Sequence, residues 1–337
     1  MKKVLFATTA LALSAGVAAA DFKIGGTSYA GIQYNSNPAV ATTKTRVNTR
    51  LRFNIDASKQ LDSGVTLGGR IRLQSDHDSN SRTAATLNMA QLYATSGGLR
   101  VEVGNSSAAV DAMSLIGRGE LGYIGTIQGG KGNMQYAGYQ SRAYSTGNAT
   151  GTPNQADRMG VYVAYTVGDI VARASYITPN QVSKTAVSGA FDEELALSFD
   201  YKSGPFAVGV GYANNGNFVK NNDVFIIYGE YAINSTTRVG LQYMDNGKNS
   251  TLATVAPGAD RGRTVVLYGN TTLSGGIGLG AFISNVDSKA LTALNVSQKT
   301  AYGIGASYDL GGATLAGTIQ RTHTKATYAD LGINFAF

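Results

Sequence analysis

Arginines stand at even positions in two neighbouring segments of this chain: Arg46, Arg50 and Arg52 in the first, Arg70 and Arg72 in the second. A guanidinium stays charged and offers several donors in a planar fork, so rows of arginines bind, steer or filter anions rather than make bonds. Their neighbours show which way they point. In 46–54 the apolar residues Val47, Leu51 and Phe53 are odd-numbered, so in an extended chain they lie on the face opposite the arginines. Arg70 and Arg72 stand likewise against Ile71 and Leu73, Arg173 against Ala172 and Ala174, and Arg238 against Val239.

Bond-making chemistry has little to build on. The two histidines, His77 and His323, fall in or near loops, show no metal-ligand spacing, and no serine is marked as a nucleophile beside them. The chain has no cysteine, hence no disulfide framework and no thiolate. Gly117-Arg-Gly119-Glu-Leu-Gly122 spells G-x-G-x-x-G. It lacks the strand before it, the helix after it and the acidic residue about twenty positions on that a dinucleotide site requires. It reads as loop glycine. No enzyme activity and no cofactor are expected.

The elements that position the arginines are strands. Period-two alternation recurs along the whole chain, as in Phe206, Val208, Val210 and Tyr212, or Ala329, Leu331, Ile333, Phe335 and Phe337. Short turns alternate with long polar connections, and the segments number roughly sixteen, an even set suited to a closed barrel. The stretch 86–95 is a weaker strand with no clear facing. A basic start, an apolar run and Ala18-Ala19-Ala20 form an expected signal peptide at 1–20, with a single barrel over 21–337. Its loss removes Lys2 and Lys3 and lowers the formal charge of +7 by two. Export makes nucleic acid an improbable partner despite the pI of about 9.4. No other stretch is apolar enough for a membrane helix, which leaves β-strands as the way across.

Energetics then assigns the faces. An arginine on the lipid side near mid-membrane costs roughly 2–4 kcal/mol. The five in 46–72 together would cost on the order of 10–20 kcal/mol, beyond the net stability of a typical domain. Arg46, Arg50, Arg52, Arg70, Arg72, Arg173 and Arg238 therefore face an aqueous lumen, and the apolar phase faces lipid. Tyrosines at strand ends (Tyr34, Tyr165, Tyr176, Tyr201, Tyr212, Tyr231, Tyr243 and Tyr308) suit the lipid–water boundary. The long non-repeating stretch 105–157 is expected to fold into the lumen and narrow it. Its acids Asp111 and Glu120 are candidates to face the arginine wall, and Tyr136 and Tyr139 are candidates to stack a sugar.

The segments Arg50-Leu-Arg52-Phe-Asn54-Ile, Ser63-Gly64-Val-Thr-Leu-Gly-Gly-Arg70-Ile-Arg72-Leu, Val101-Glu-Val-Gly104-Asn105, Gly122-Tyr123, Asp245-Asn246-Gly247, Leu267-Tyr268-Gly269-Asn270, Tyr302-Gly-Ile-Gly-Ala and terminal Phe337 resemble the general-diffusion porins of the alphaproteobacterial type. The resemblance rests on their order and spacing over 21–337. It implies an all-β, 16-stranded antiparallel transmembrane β-barrel in the outer membrane of a Gram-negative bacterium, with its third loop folded into the lumen. It further implies a homotrimer in contact with outer-membrane lipid and lipopolysaccharide, passing small hydrophilic solutes and ions. Asp111 and Glu120 match the loop acids, and Arg50, Arg52, Arg70 and Arg72 the basic wall. Phe337 matches the residue read by the outer-membrane assembly machinery. Members of the family sometimes hold calcium on a denser acidic loop. Here Arg118 interrupts the acids, which argues against calcium and for a weak anion preference. A substrate-specific sugar or anion channel, or a plugged barrel serving as adhesin or rim enzyme, remain as alternatives.

Overall fold

The computed structural model describes residues 20–38, 43–77, 82–141, 158–181, 191–249 and 257–337. The expected leader, apart from Ala20, and the part of the long stretch at 142–157 lie outside them. The strands are β1 (Asp21–Asn35), β2 (Thr45–Gln60), β3 (Thr66–His77), β4 (Arg82–Leu87), β5 (Gln91–Ser96), β6 (Leu99–Gly104), β7 (Met159–Val167), β8 (Ile170–Thr178) and β9 (Glu194–Ser203). They continue as β10 (Phe206–Asn214), β11 (Val224–Ala232), β12 (Thr237–Asp245), β13 (Arg263–Thr272), β14 (Ile277–Val286), β15 (Thr300–Asp309), β16 (Ala313–Arg321) and β17 (Thr327–Ala336).

Successive strands pair antiparallel, except that β4 and β5 both pair with β3, and β1 pairs with β17 from Thr27↔Ala336 to Asn35↔Tyr328. Closure at this seam joins the first strand to the last, so their ladder hydrogen bonds are made within the wall. β3 carries β5 on Thr66–Arg70 and β4 on Leu73–His77. These two short pieces are the halves of one crossing, and the barrel has sixteen spans. The break also explains why 86–95 shows no facing. Exposed apolar residues are odd-numbered at Leu87 and even-numbered at Leu92, so the phase slips by one across 88–90. Asn88 bridges the gap by returning both its backbone N–H and its side-chain oxygen to Arg72.

The phases separate as the alternation requires. Phe22, Ile304 and Leu331 are 60–65 % exposed, and Leu195, Leu197, Phe199, Val208, Leu241, Leu267 and Ile319 share that outward phase. In water each such side chain forfeits roughly 1.5–3 kcal/mol of burial. Against hydrocarbon the deficit vanishes, which makes the outward band a membrane surface. Of the eight end tyrosines, seven are exposed with this phase, and Tyr243 is half-buried. Phe337 exchanges backbone hydrogen bonds with Gly26 at 2.7 and 3.1 Å, prolonging the seam, and its ring meets Phe53 edge-on at 5.2 Å.

Turns such as 168–169, 204–205 and 310–312 lie at one rim, and the long connections at the other. One long connection holds a helix that alternation does not reveal, α1 (Ser288–Ala293), capped by Asp287 accepting from the backbone of Lys289 and Ala290.

Candidate functional site

The arginines of β2 and β3 sit in a cross-strand ladder. The register places Arg50 opposite Asp76, Arg52 opposite Gln74, Asn54 opposite Arg72 and Asp56 opposite Arg70. In each pair the arginine Nε donates to the acceptor it faces: Arg50 to Asp76 at 2.6 Å, Arg52 to Gln74 at 2.5 Å, Arg72 to Asn54 at 2.7 Å and Arg70 to Asp56 at 2.7 Å. Directly opposed residues on one face of a sheet are within side-chain reach, so register alone builds the row. Arg50 also lies over the Tyr29 ring at 4.9 Å and Arg72 over Tyr139 at 4.6 Å. The two outer arginines face carboxylates, while the two central ones, Arg52 and Arg72, face neutral amides. Positive charge is therefore concentrated at the centre of the ladder.

The long stretch, described over 105–141, has almost no regular structure: one short 3₁₀ turn at Lys131–Asn133 and one bridge between Leu121 and Thr126. Irregular backbone leaves N–H and C=O groups that need partners. The strands supply them. Ala109 N–H donates to Ser175 on β8, Ser114 N–H to Asp200 on β9, Leu115 N–H to Tyr228 on β11 and Ala137 N–H to Glu194 on β9. Gln242 on β12 donates to the Leu115 carbonyl, and Gln320 on β16 to Thr126. On β17, Tyr123 N–H donates to Asp330 while Asn334 donates to the Tyr123 carbonyl. Arg72 then holds Ser141 at 2.6 Å. Every one of these wall partners belongs to the phase opposite the exposed apolar one.

Packing completes the attachment. Ala109, Val110, Met113, Leu115, Ile116, Leu121 and Met134 of the stretch form one buried cluster with Ala196, Ala213, Val224, Ile226, Met244, Val266 and Phe282 of β9 to β14. Across the seam, Gly31 of β1 pairs with Gly332 of β17. A Cβ on either would stand 2.6 Å from the Tyr123 ring, so the two glycines form the seat on which that ring lies. Gly122 precedes it at φ +78°, and a Cβ there would meet the Asp330 carboxylate at 2.3 Å.

The expected site residues divide into groups. Arg46 bonds the Thr43 carbonyl at the start of β2. Arg173 lies on β8, buried against Asp200 at 2.8 Å, and Arg238 lies on β12, 3.9 Å from Glu230. Glu120 pairs with Lys131 of its own segment at 3.5 Å, and Asp111 accepts the backbone N–H of Tyr139. Among the described residues neither acid forms an ion pair with an arginine of β2 or β3. The acids that meet those arginines are Asp56 and Asp76, in the wall itself. Burial pushes both Asp111 and Glu120 above the ordinary carboxylate range, with Lys131 opposing the shift.

Tyr139 stacks under Arg72 and accepts from Asn88, while Tyr136 packs on the apolar cluster. Gly119 and Gly122 of the G-x-G-x-x-G adopt positive φ as turn residues. His77 ends β3, and His323 is buried with Nε2 2.9 Å from Ser284 Oγ. Alternation alone missed Arg100, whose Nε donates to Glu102 at 2.6 Å and which lies over Tyr93 at 4.1 Å. It also missed Arg158, buried, which ties Asn105 to the Gly138 carbonyl. The signal was present in the polar residues that punctuate the inner phase: Glu102, Glu194, Asp200, Gln242, Gln320 and Asp330.

Comparison with known proteins agrees with this architecture. Residues 7–327 match the family model described as Gram-negative porin. The chain is 29 % identical over 308 residues to a porin of Fuscovulum blasticum, covering 91 % of this chain and 96 % of that one. Solved structures of a double and a triple mutant of the Rhodopseudomonas blastica porin each superpose with a TM-score of 0.80 at 27 % identity, covering 94 % of this chain and all of theirs. A sixteen-span closed barrel with a lipid-compatible exterior and a charged interior, matched along nearly its whole length, belongs to the Gram-negative porin family of outer-membrane channels.

Proposed function

We propose that the chain lets small hydrophilic solutes and ions diffuse passively through a water-filled lumen, with no cofactor and no bond-making step, and that segment 105–141 narrows the passage opposite the β2–β3 arginines. One observation carries this reading: a closed wall whose outer phase is apolar and whose inner phase holds a row of arginines fixed by facing acceptors. Fixed guanidiniums orient and filter solutes without binding them tightly. Because Arg52 and Arg72 face neutral amides, the passage favours anions weakly. Glu120 adds little opposing field, since Lys131 accompanies it. Outer-membrane lipid and lipopolysaccharide cover the exposed band, three copies assemble side by side, and Phe337 serves the assembly machinery. Calcium has no part in the reading.

Planar-bilayer recording tests it. Purified protein gives large stepwise currents, in threes for a trimer, with a reversal potential under a salt gradient that shows mild anion preference. A silent bilayer with correctly folded protein overturns the reading in favour of a plugged barrel.

A further inference from the structure

Away from the β2–β3 ladder, a recess of about 450 Å³ opens on the inner side near the short-turn rim, between the long segment and β8 to β12. That is within the roughly 300–1,000 Å³ usual for small-molecule sites. Its cations are Arg118 from the segment, Arg173, Lys202 and Arg238; its acids are Asp169, Asp200 and Glu230. The acids are unevenly engaged. Asp200 is committed to Arg173 at 2.8 Å, to Ser114 N–H at 2.9 Å and to the Tyr228 hydroxyl. Glu230 accepts from the Tyr268 hydroxyl at 2.9 Å. Both remaining guanidiniums stand back from it, Arg118 at 4.0 Å and Arg238 at 3.9 Å, beyond hydrogen-bond distance.

That arrangement differs in kind from the ladder. There each Nε is saturated by the acceptor it faces. Here, among the described residues, neither Arg118 nor Arg238 donates a side-chain hydrogen bond, and Lys202 has no ion-pair partner. Two half-exposed guanidiniums are held near one carboxylate by attraction alone, with their donors open to the recess. Forked donors of this type match an oxyanion, and a third cation favours one with two charges. Leu115, Val171 and Ala207 supply apolar wall for a carbon body.

We propose that this recess binds one small doubly charged oxyanion of the phosphate or phosphate-monoester type, between Arg118 and Arg238, with Lys202 as the third cation. Lys202 and Arg238 belong to the inner phase and Arg118 to the long segment, with outward-phase Tyr201 and Phe206 at the edge of the recess, so the ligand proposed is the aqueous solute; binding only when phosphate-bearing lipid is added to the detergent overturns it. The site would hold an anionic solute close to one mouth of the barrel, at a place distinct from the arginine ladder.

Binding needs only the folded protein, so the test does not depend on conductance. Inorganic phosphate is titrated into the detergent-solubilised protein in low-chloride buffer and followed by calorimetry and by phosphorus NMR line width. Saturation at one phosphate per chain is expected. The double variant Arg118→Gln/Arg238→Gln loses affinity on the order of tenfold or more. Lys202→Gln, at an exposed rim position that tolerates change, loses several-fold. Lys289→Gln, which removes the same charge from exposed α1, leaves binding unchanged. Glu230→Gln removes the carboxylate that competes for both guanidiniums and tightens binding, a gain that misfolding cannot mimic. Absence of saturation in the parent chain overturns the site, as does equal loss with Lys289→Gln, or unchanged or weakened binding with Glu230→Gln.

Discussion

On their inner phase β2 and β3 carry Arg50, Arg52, Arg70 and Arg72; β9 to β13 carry Ala196, Ala213, Ile226, Met244 and Val266. The first wall is half-exposed, and its side chains reach one another across the strands. The second is buried, because the long segment lies on it. The same pleat thus serves two purposes. A charged inner phase needs water beside it, since burying unpaired guanidiniums costs several kcal/mol each. An apolar inner phase needs a lid, since a greasy wall open to water would forfeit its burial energy. The segment meets the second need and leaves the arginines of the first wall half-exposed. The difference also shows how an irregular stretch is held without secondary structure: apolar contact on one side, and strand side chains that accept and donate for its backbone on the other.

The largest way to break the contrast is to put charge on the dry wall. Ile226→Asp buries an unpaired carboxylate against Met113 and should cost several kcal/mol, enough to detach the segment. Limited proteolysis should then cut within 105–141, and recorded currents should become larger and noisier; unaltered proteolysis and conductance would show that the segment does not depend on this packing. The milder Ile226→Ala should lower stability by about 2–4 kcal/mol, read from thermal unfolding in detergent.

The wet wall is tested by charge removal. Arg52→Gln with Arg72→Gln should move the reversal potential toward cations further than Arg50→Gln with Arg70→Gln. The first pair faces amides, and the second already faces Asp76 and Asp56. Equal shifts would mean that the facing carboxylates do not offset their arginines. Next in size is the Tyr123 seat. Gly332→Val or Gly31→Val pushes a side chain into the ring and against the backbone of the β1–β17 seam, and should cost about 1–3 kcal/mol or more, read from thermal unfolding in detergent.

Acidity sharpens the comparison with smaller effects. Burial raises Asp111 and Glu120, so on acidification they take up protons before ordinary carboxylates do. Losing those negative charges should increase anion preference as pH falls, and Glu120→Gln with Asp111→Asn should flatten that trend. His323 has the opposite sign. Burial lowers its pKa, so the neutral ring's contribution is whole above about pH 6.5 and is lost as pH drops through the lowered folded value. Parent protein should lose thermal stability between pH 7 and 5 by a small increment that His323→Gln does not show.

Much of the barrel was legible residue by residue. Val47, Leu51 and Phe53 against Arg46, Arg50 and Arg52 is enough to assign two faces, and the cost of an arginine in lipid decides which is outside. The same alternation carries the partners of those arginines, Asp56 and Asp76, whereas the acids expected to face them, Asp111 and Glu120, lie on the long segment. Which residue opposes which depends on strand register, and across a short connection such as 61–65 that register is fixed by the geometry of the turn, which alternation does not give. The fourth crossing was unreadable because the phase slips at 88–90, where two half-strands share one place in the wall.

Sequence by itself determined roughly how many crossings there are, the side of most of them that meets lipid and the presence of an arginine row, because period-two patterning is local and a charge in hydrocarbon is too costly to misplace. Only the tertiary structure decided that Asp56, Asp76, Gln74 and Asn54 hold those arginines, and that Glu120 goes to Lys131. It also decided that β9 to β14 hold the long segment. That last choice brings together residues far apart in the chain, so no local pattern carries it.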